Sequence, residues 1–173
     1  MVDGLNRRVQ ILDSDLTPLR SIGDGDLVEP TGIEVDYLNN VLYVAQSTGA
    51  HHVLRLGLSD GAFLGQMGAF GMRPGEFHDP QSLHLEGELL LVAEWGNNRV
   101  TVYNTTSRAF VRHIGGDEMD VEEGELDQPC GVAVHDGAVY VTDTWNHRIS
   151  VSLASPSPSP LPSPSPSPSP SPF

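Results

Sequence analysis

The segment from Pro129 to Val151, PCGVAVHDGAVYVTDTWNHRISV, is preceded in the chain by two imperfect copies of itself. Pro80 to Val102, PQSLHLEGELLLVAEWGNNRVTV, falls in register with it: a small turn, an aliphatic run, an acidic residue and an Asn-x-Arg-aliphatic ending. Pro30 to Leu56 is a third copy, longer by about three residues. The marker prolines Pro30, Pro80 and Pro129 stand 50 and 49 residues apart. A period of that size belongs to arrays whose unit is one small sheet rather than a helix pair, and such units bury their apolar residues only by stacking on one another.

Inside the unit at 30–79, apolar runs near 32–35, 41–45, 52–56 and 62–67 are separated by Asn39-Asn40, Thr48-Gly49, Asp60-Gly61 and Gly68, which are hairpin signals. The unit at 80–128 repeats the pattern with strands expected near 82–85, 89–93, 99–103 and 109–113, after a connector from Gly71 to Phe77. Four short antiparallel strands per unit describe a propeller blade. Residues 1–29 read as a half blade holding the third and fourth strands, because Asn6-Arg7-Arg8-Val9 matches Asn146-His147-Arg148-Ile149. Residues 129–153 read as a partial blade with strands near 130–134, 138–142 and 148–151. The expected fold class is therefore all-β, a propeller segment over 1–154, followed by a Ser-Pro tail over 155–173. That tail carries nine of the 14 prolines and no charge, so it is expected to be disordered or in polyproline II.

The formal charge is −14, from 23 acids against nine bases, all of them arginine. Such a chain lacks the basic face that a phosphate backbone requires, so no nucleic-acid partner is expected. Cys130 is the single cysteine and has no internal disulfide partner. The first residues, MVDGLNRRVQIL, contain no apolar run of secretory length, and no stretch approaches the roughly 20 apolar residues that span a bilayer. As written the chain is expected to be cytoplasmic, with no membrane partner. It begins inside a repeat, however, and its Ser-Pro alternation resembles the hydroxyproline-rich shafts of plant and algal wall glycoproteins. A secreted or cell-wall protein is thus the alternative if the start is truncated.

The pattern Pro-x-Gly-Val-Ala-Val, then Val-Tyr-Val-Thr-Asp, then Trp-Asn-His-Arg-Ile resembles the NHL repeat, whose name derives from an Asn-His-Leu run seen here as Asn146-His147-Arg148. Gly75 to Pro80 and Gly124 to Pro129 look like the connectors of that family. The resemblance covers about residues 5–151 and implies a six-bladed ring, of which this chain supplies about three blades. It leaves open a fragment of a longer protein, a poorly folded product, or a homodimer closing one six-bladed ring. In the dimer the N-terminal half blade would complete the C-terminal one.

In a four-stranded meander, the loops entering the first strand and those joining the second to the third share one edge. That edge collects Thr31, Gln81 and Cys130, the loops 95–98 and 144–147, and the acidic stretch 117–127, DEMDVEEGELD, with seven carboxylates. The spacing of these acids fits no EF-hand loop. The binding candidates are Trp95, Asn97, Trp145, His147, Glu122 and Glu123, facing a protein or peptide partner. The two tryptophans read either as an aromatic platform or as caps on their blades. Asp143 with Asn146 and Arg148, matched by Glu94 with Asn97 and Arg99, recurs in two blades and so reads as a loop brace rather than a unique active site. Gln46 breaks that pattern. Cys130 reads as a small residue opening a buried strand, and Asn104-Thr105-Thr106 is a glycosylation sequon.

The resemblance extends to peptidyl-hydroxyglycine amidating lyases, which imply metal-binding histidines at the inner strand starts. Those positions here are Thr31, Gln81 and Cys130, so no catalytic, metal or cofactor residue is assigned. The expected function is a non-catalytic interaction scaffold. The alternative is a fragment of an amidating-lyase-like or lactonase-like propeller enzyme whose metal residues lie in missing blades.

Overall fold

A computed structural model describes residues 1–116 and 125–153. The Ser-Pro tail at 155–173 and most of the acidic stretch, including Glu122 and Glu123, lie outside the described residues. The described chain is all-β and forms four antiparallel sheets. The first holds β1 (Val2–Asp3), β2 (Arg8–Leu12) and β3 (Pro18–Ile22). The second is β4 (Pro30–Asp36), β5 (Val41–Gln46), β6 (His52–Gly57) and β7 (Phe63–Met67). The third is β8 (Pro80–Glu86), β9 (Leu89–Glu94), β10 (Arg99–Asn104) and β11 (Ala109–Gly115). The fourth is β12 (Pro129–His135), β13 (Ala138–Asp143) and β14 (Arg148–Leu153). Each sheet is a meander whose strands pair in chain order, and the four sheets do not close into a ring.

The N-terminal sheet differs from the expected half blade. Val2 and Asp3 pair with Val9 and Arg8, so the sheet contains part of its own second strand as well as the third and fourth.

Strand alternation explains the stacking. Successive side chains on a strand point to opposite faces, so each sheet with apolar residues at both parities offers two faces for burial. Leu42 and Val44 on β5 join Val9, Ile22 and Leu27 in a core against the first sheet. Val41, Tyr43 and Ala45 on the same strand turn the other way and pack with Leu83, Leu90 and Val92 of the third sheet. On β9 the alternation repeats: Leu91 and Ala93 meet Val132, Val139 and Val141 of the fourth sheet. Three dry interfaces result, one between each successive pair of sheets. The inner strands β4 and β8 approach to backbone contact, since a Cβ on Gly32 would lie 2.7 Å from the Gln81 carbonyl oxygen.

The irregularities repeat with the sequence. The register shifts just after Pro30, Pro80 and Pro129, and again in the third-to-fourth strand pairs beside Leu12, Leu56 and Tyr103. Bulges at one fixed place per unit behave as part of the unit, bending each strand the same way. Glu29, Asp79 and Gln128, the residues before the marker prolines, all take positive φ, at 41°, 49° and 51°.

Candidate interaction face and the braces beneath it

The loops between second and third strands are built on one device. An acidic residue ends the second strand, and an asparagine three residues later and an arginine five residues later fold back onto its carboxylate. In the third sheet, Glu94 Oε2 accepts from Asn97 Nδ2 at 2.6 Å and from the His78 amide at 3.1 Å. Its Oε1 accepts from Arg99 Nε at 3.0 Å and from the Thr101 hydroxyl. In the fourth sheet, Asp143 accepts from Asn146 at 3.0 Å, Arg148 Nε at 2.6 Å, the Ser150 hydroxyl at 3.1 Å and the Asp127 amide at 2.7 Å. Both acidic side chains are fully buried, while the arginine partners differ: Arg99 is 9% exposed and Arg148 44%.

A third copy, overlooked by the reading of the sequence, sits at the start of the chain. Asp3 accepts from Asn6 Nδ2 at 3.0 Å and Arg8 Nε at 2.8 Å. The same spacing of three and five residues was available as a signal, but the N-terminal repeat was aligned only from Asn6.

The braces also hold the chain that enters each sheet. Arg99 donates to the carbonyls of Met72 at 2.7 Å and Glu76 at 2.9 Å, and Asn97 to that of Gly71 at 2.9 Å. Asn146 and Arg148 donate to the Glu125 carbonyl at 3.0 and 3.2 Å. These are the orphan carbonyls of an irregular connector, and arginine and asparagine donors satisfy them. Asn97 is therefore buried and committed to the brace, with its Nδ2 engaged by Glu94 and Gly71.

Burial pushes the Glu94 carboxyl above the usual range, against the bonds from Thr101 and Arg99. Burial pushes Asp143 up too, but the donors from Asp127, Asn146, Arg148 and Ser150 outweigh it and leave it lowered. Behind Glu94 the network ends at His113, whose Nδ1 lies 3.0 Å from Thr101 Oγ1 and whose Nε2 is buried without a partner. Burial and the Arg99 charge push that imidazole down to about 4, so it is neutral at pH 7.

The second sheet has Gln46 in place of the acid and is compensated differently. Its loop is tied forward to the next sheet: Ser47 Oγ donates to Asp79 at 3.3 Å and accepts from Gln81 Nε2 at 3.0 Å. His51 Nδ1 accepts from the Asp79 amide at 3.2 Å. The His51 ring packs on Phe70 and His78 at centroid distances of 4.8 and 5.5 Å. Gln81 is placed at this edge by its strand start alone, and the tie itself is not legible in the sequence, because the partners lie on two different repeats.

The tryptophans sit above this layer on loops of successive sheets. The Trp95 amide donates to the Asp79 carbonyl at 3.0 Å and the Trp145 amide to that of Asp127 at 3.1 Å. They are not equivalent positions: counted from the brace acid, Trp95 comes first, whereas Trp145 comes second and matches Leu5. Gly96 takes that second place in the third sheet, where a Cβ would lie 2.4 Å from the His78 ring. The bulk moves one residue back. Both indoles reach solvent, as does His147, which has a φ of 51°.

At the inner strand starts, Thr31 Oγ1 donates to the Pro80 carbonyl at 2.8 Å. Cys130 is exposed rather than buried, and among the described residues no further sheet covers β12 on that side. Among the described residues no group of three or more His, Cys, Asp or Glu side chains is placed to hold a metal ion, and no helix is long and apolar enough to cross a membrane.

Residues 126–151, from the end of the connector through the brace of the fourth sheet, match the family model of the NHL repeat. This unit is similar to the NHL repeat. The fold around it is that of a β-propeller, and solved structures agree at low identity. A chain of the crystal structure of a nidogen/laminin complex superposes with a TM-score of 0.67 at 21% identity, covering 88% of this chain and 54% of that one. The computationally designed Ika4 protein gives 0.57 at 13%, covering 86% and 80%. Hydrazine synthase of Kuenenia stuttgartiensis gives 0.59 at 16%, covering 78% and 35%. This chain thus spans about half or less of the two natural structures it resembles. No curated protein matches it.

Proposed function

We propose that this NHL-type propeller segment is a non-catalytic scaffold that binds a protein or peptide on its loop face. The observation that carries the reading is a group of exposed apolar side chains seated above the braces; the opposite edge also exposes Leu16, Tyr37 and Leu38. Leu5, Phe70, Met72, Trp95 and Trp145 are all exposed, and all lie on loops at the braced edge of the sheets. Beneath them the buried carboxylates of Glu94 and Asp143 each gather several donors, so the edge has a braced floor presenting large side chains. Aromatic anchors on a preorganised surface are the usual centres of protein–protein contacts. The formal charge of −14 favours a basic partner, and the similar chain in the nidogen/laminin structure comes from a protein complex.

The test is selection from a displayed random-peptide library, followed by affinity measurement on the recovered peptides. Lys/Arg-bearing peptides are expected, weakened at least tenfold by the Trp95→Ala/Trp145→Ala pair while circular dichroism is unchanged. Recovery of no binder, or binding indifferent to that pair, would overturn the proposal.

A further inference from the structure

We infer that the outer face of the fourth sheet docks on the first sheet of a second copy of this chain, stacking sheet on sheet head to tail. The face is defined by strand register. Tyr140 pairs with Val151, Thr142 with Ile149 and Ala138 with Leu153, and these side chains share the side of the sheet turned away from the third sheet. Their register equivalents one unit earlier are Leu91, Ala93, Val100 and Val102, which are at most 3% exposed because the fourth sheet covers them. Tyr140, Ile149, Val151 and Leu153 are instead 38 to 80% exposed.

The three interfaces inside the chain state the rule of contact. Each joins the face one sheet turns forward to the face the next sheet turns back, never like to like. One unpartnered face of the second kind exists among the described residues. On β2, Val9 and Ile11 pack toward the second sheet, so Gln10 and Leu12 point the opposite way. On β3, Arg20 reaches the Leu58 carbonyl of the second sheet, which leaves Leu19 on the outer side, 63% exposed. Leu12, Leu19, Tyr140, Ile149, Val151 and Leu153 are uncharged, in a chain of formal charge −14, and Arg8, which shares the side of Gln10 and Leu12, is paired with Asp3 at 2.8 Å. Two chains of that charge repel, which favours a contact that brings together little net charge.

The contact does not work by strand completion. β1 and β13 both occupy second-strand positions, β2 and β14 both occupy third-strand positions, and all four are paired within their own sheets, so one shared blade would hold two strands too many. Two copies joined at both ends would close a ring with the symmetry axis along its centre. That ring contains eight sheets, four from each copy, rather than the six that the family resemblance implies. The inference concerns the two end faces and is independent of peptide binding on the loop edge.

Light scattering on the full 173-residue chain tests it, with Val151→Glu and Leu19→Glu as variants. Both residues are exposed in the single chain, so neither change removes an existing core contact, and circular dichroism checks that the strands persist. The expected result is a monodisperse dimer that becomes monomeric with either variant. A monomer, an open-ended distribution of sizes, or a dimer broken by Val151→Glu alone would overturn the inference; the last would mean that like faces pair.

Discussion

Replacing Glu94 by alanine removes one carboxylate from under four donors. Arg99, the Asn97 amide, the Thr101 hydroxyl and the His78 amide all point at it, and its side chain is inaccessible to solvent. Arg99 is only 9% exposed, so its guanidinium stays largely buried without its counter-ion. Breaking a buried pair from one side costs about 3–5 kcal/mol, which for a chain of this size lowers Tm by roughly 6–20 °C. Asp143→Ala makes the same change one repeat later, but Arg148 is 44% exposed and can rehydrate; the expected loss is about 1–2 kcal/mol. Asp3→Ala, where Arg8 is also open to water, should rank last. The assay is urea denaturation followed by circular dichroism on all three variants at pH 7. A second arm replaces both partners with apolar residues, Glu94→Leu/Arg99→Met, and should recover much of the loss. If Glu94→Ala proves no worse than Asp143→Ala, burial does not set the strength of these braces and the reasoning fails.

His113 is neutral in the folded chain, with a pKa near 4, and protonates near 6.5 once unfolded. The unfolded state therefore binds more protons between those values, so stability is complete above pH 6.5 and falls as pH drops toward 4. Discounted by about half for partial exposure of the ring, the loss is ~1–2 kcal/mol. A His113→Leu variant should lack that slope in denaturation curves run at pH 7 and 4.5. Gly32→Ala, which forces a Cβ against the Gln81 carbonyl at 2.7 Å, should cost about 1–3 kcal/mol. Gly131→Ala meets only the Thr142 side chain and should cost less than Gly32→Ala in the same melt. His147→Gly relieves a left-handed residue with a φ of 51° and should stabilise by about 0.5 kcal/mol, with no gain expected if the loop relaxes when freed.

The repeat and its braces were legible because their chemistry lies within one unit at fixed spacing: an acid, an asparagine three residues on and an arginine five residues on. Pairing Glu94 with Arg99 needs no knowledge of the neighbours. The forward tie from Ser47 and His51 to Asp79 joins residues 32 and 28 positions apart on separate sheets, and no periodicity announces such a contact. Cys130 fails for a related reason. Its position in the unit suggests burial, yet burial at an end sheet is decided by the next sheet, and none follows in the described chain. The tryptophans fall between these cases: their offset could be counted from the brace acid, but its cause, the His78 ring against Gly96, is tertiary.

The connectors are gripped by their backbones. Arg99, Asn97, Arg148 and Asn146 all end on carbonyl oxygens of Gly71, Met72, Glu76 and Glu125, atoms that every amino acid supplies. Away from the buried Phe77 and Leu126, mutation in a connector therefore changes what the loop edge displays without loosening what secures it. GMRPGEF and the stretch before Pro129 share a Gly-Glu-apolar close, ending on Phe77 and Leu126, but differ upstream of it, and an asparagine and an arginine clasp each of them. A lineage built on this unit can diversify its recognition surface by ordinary substitution, because selection for holding the connector acts on the brace residues and on one buried apolar side chain, and leaves the exposed connector positions free.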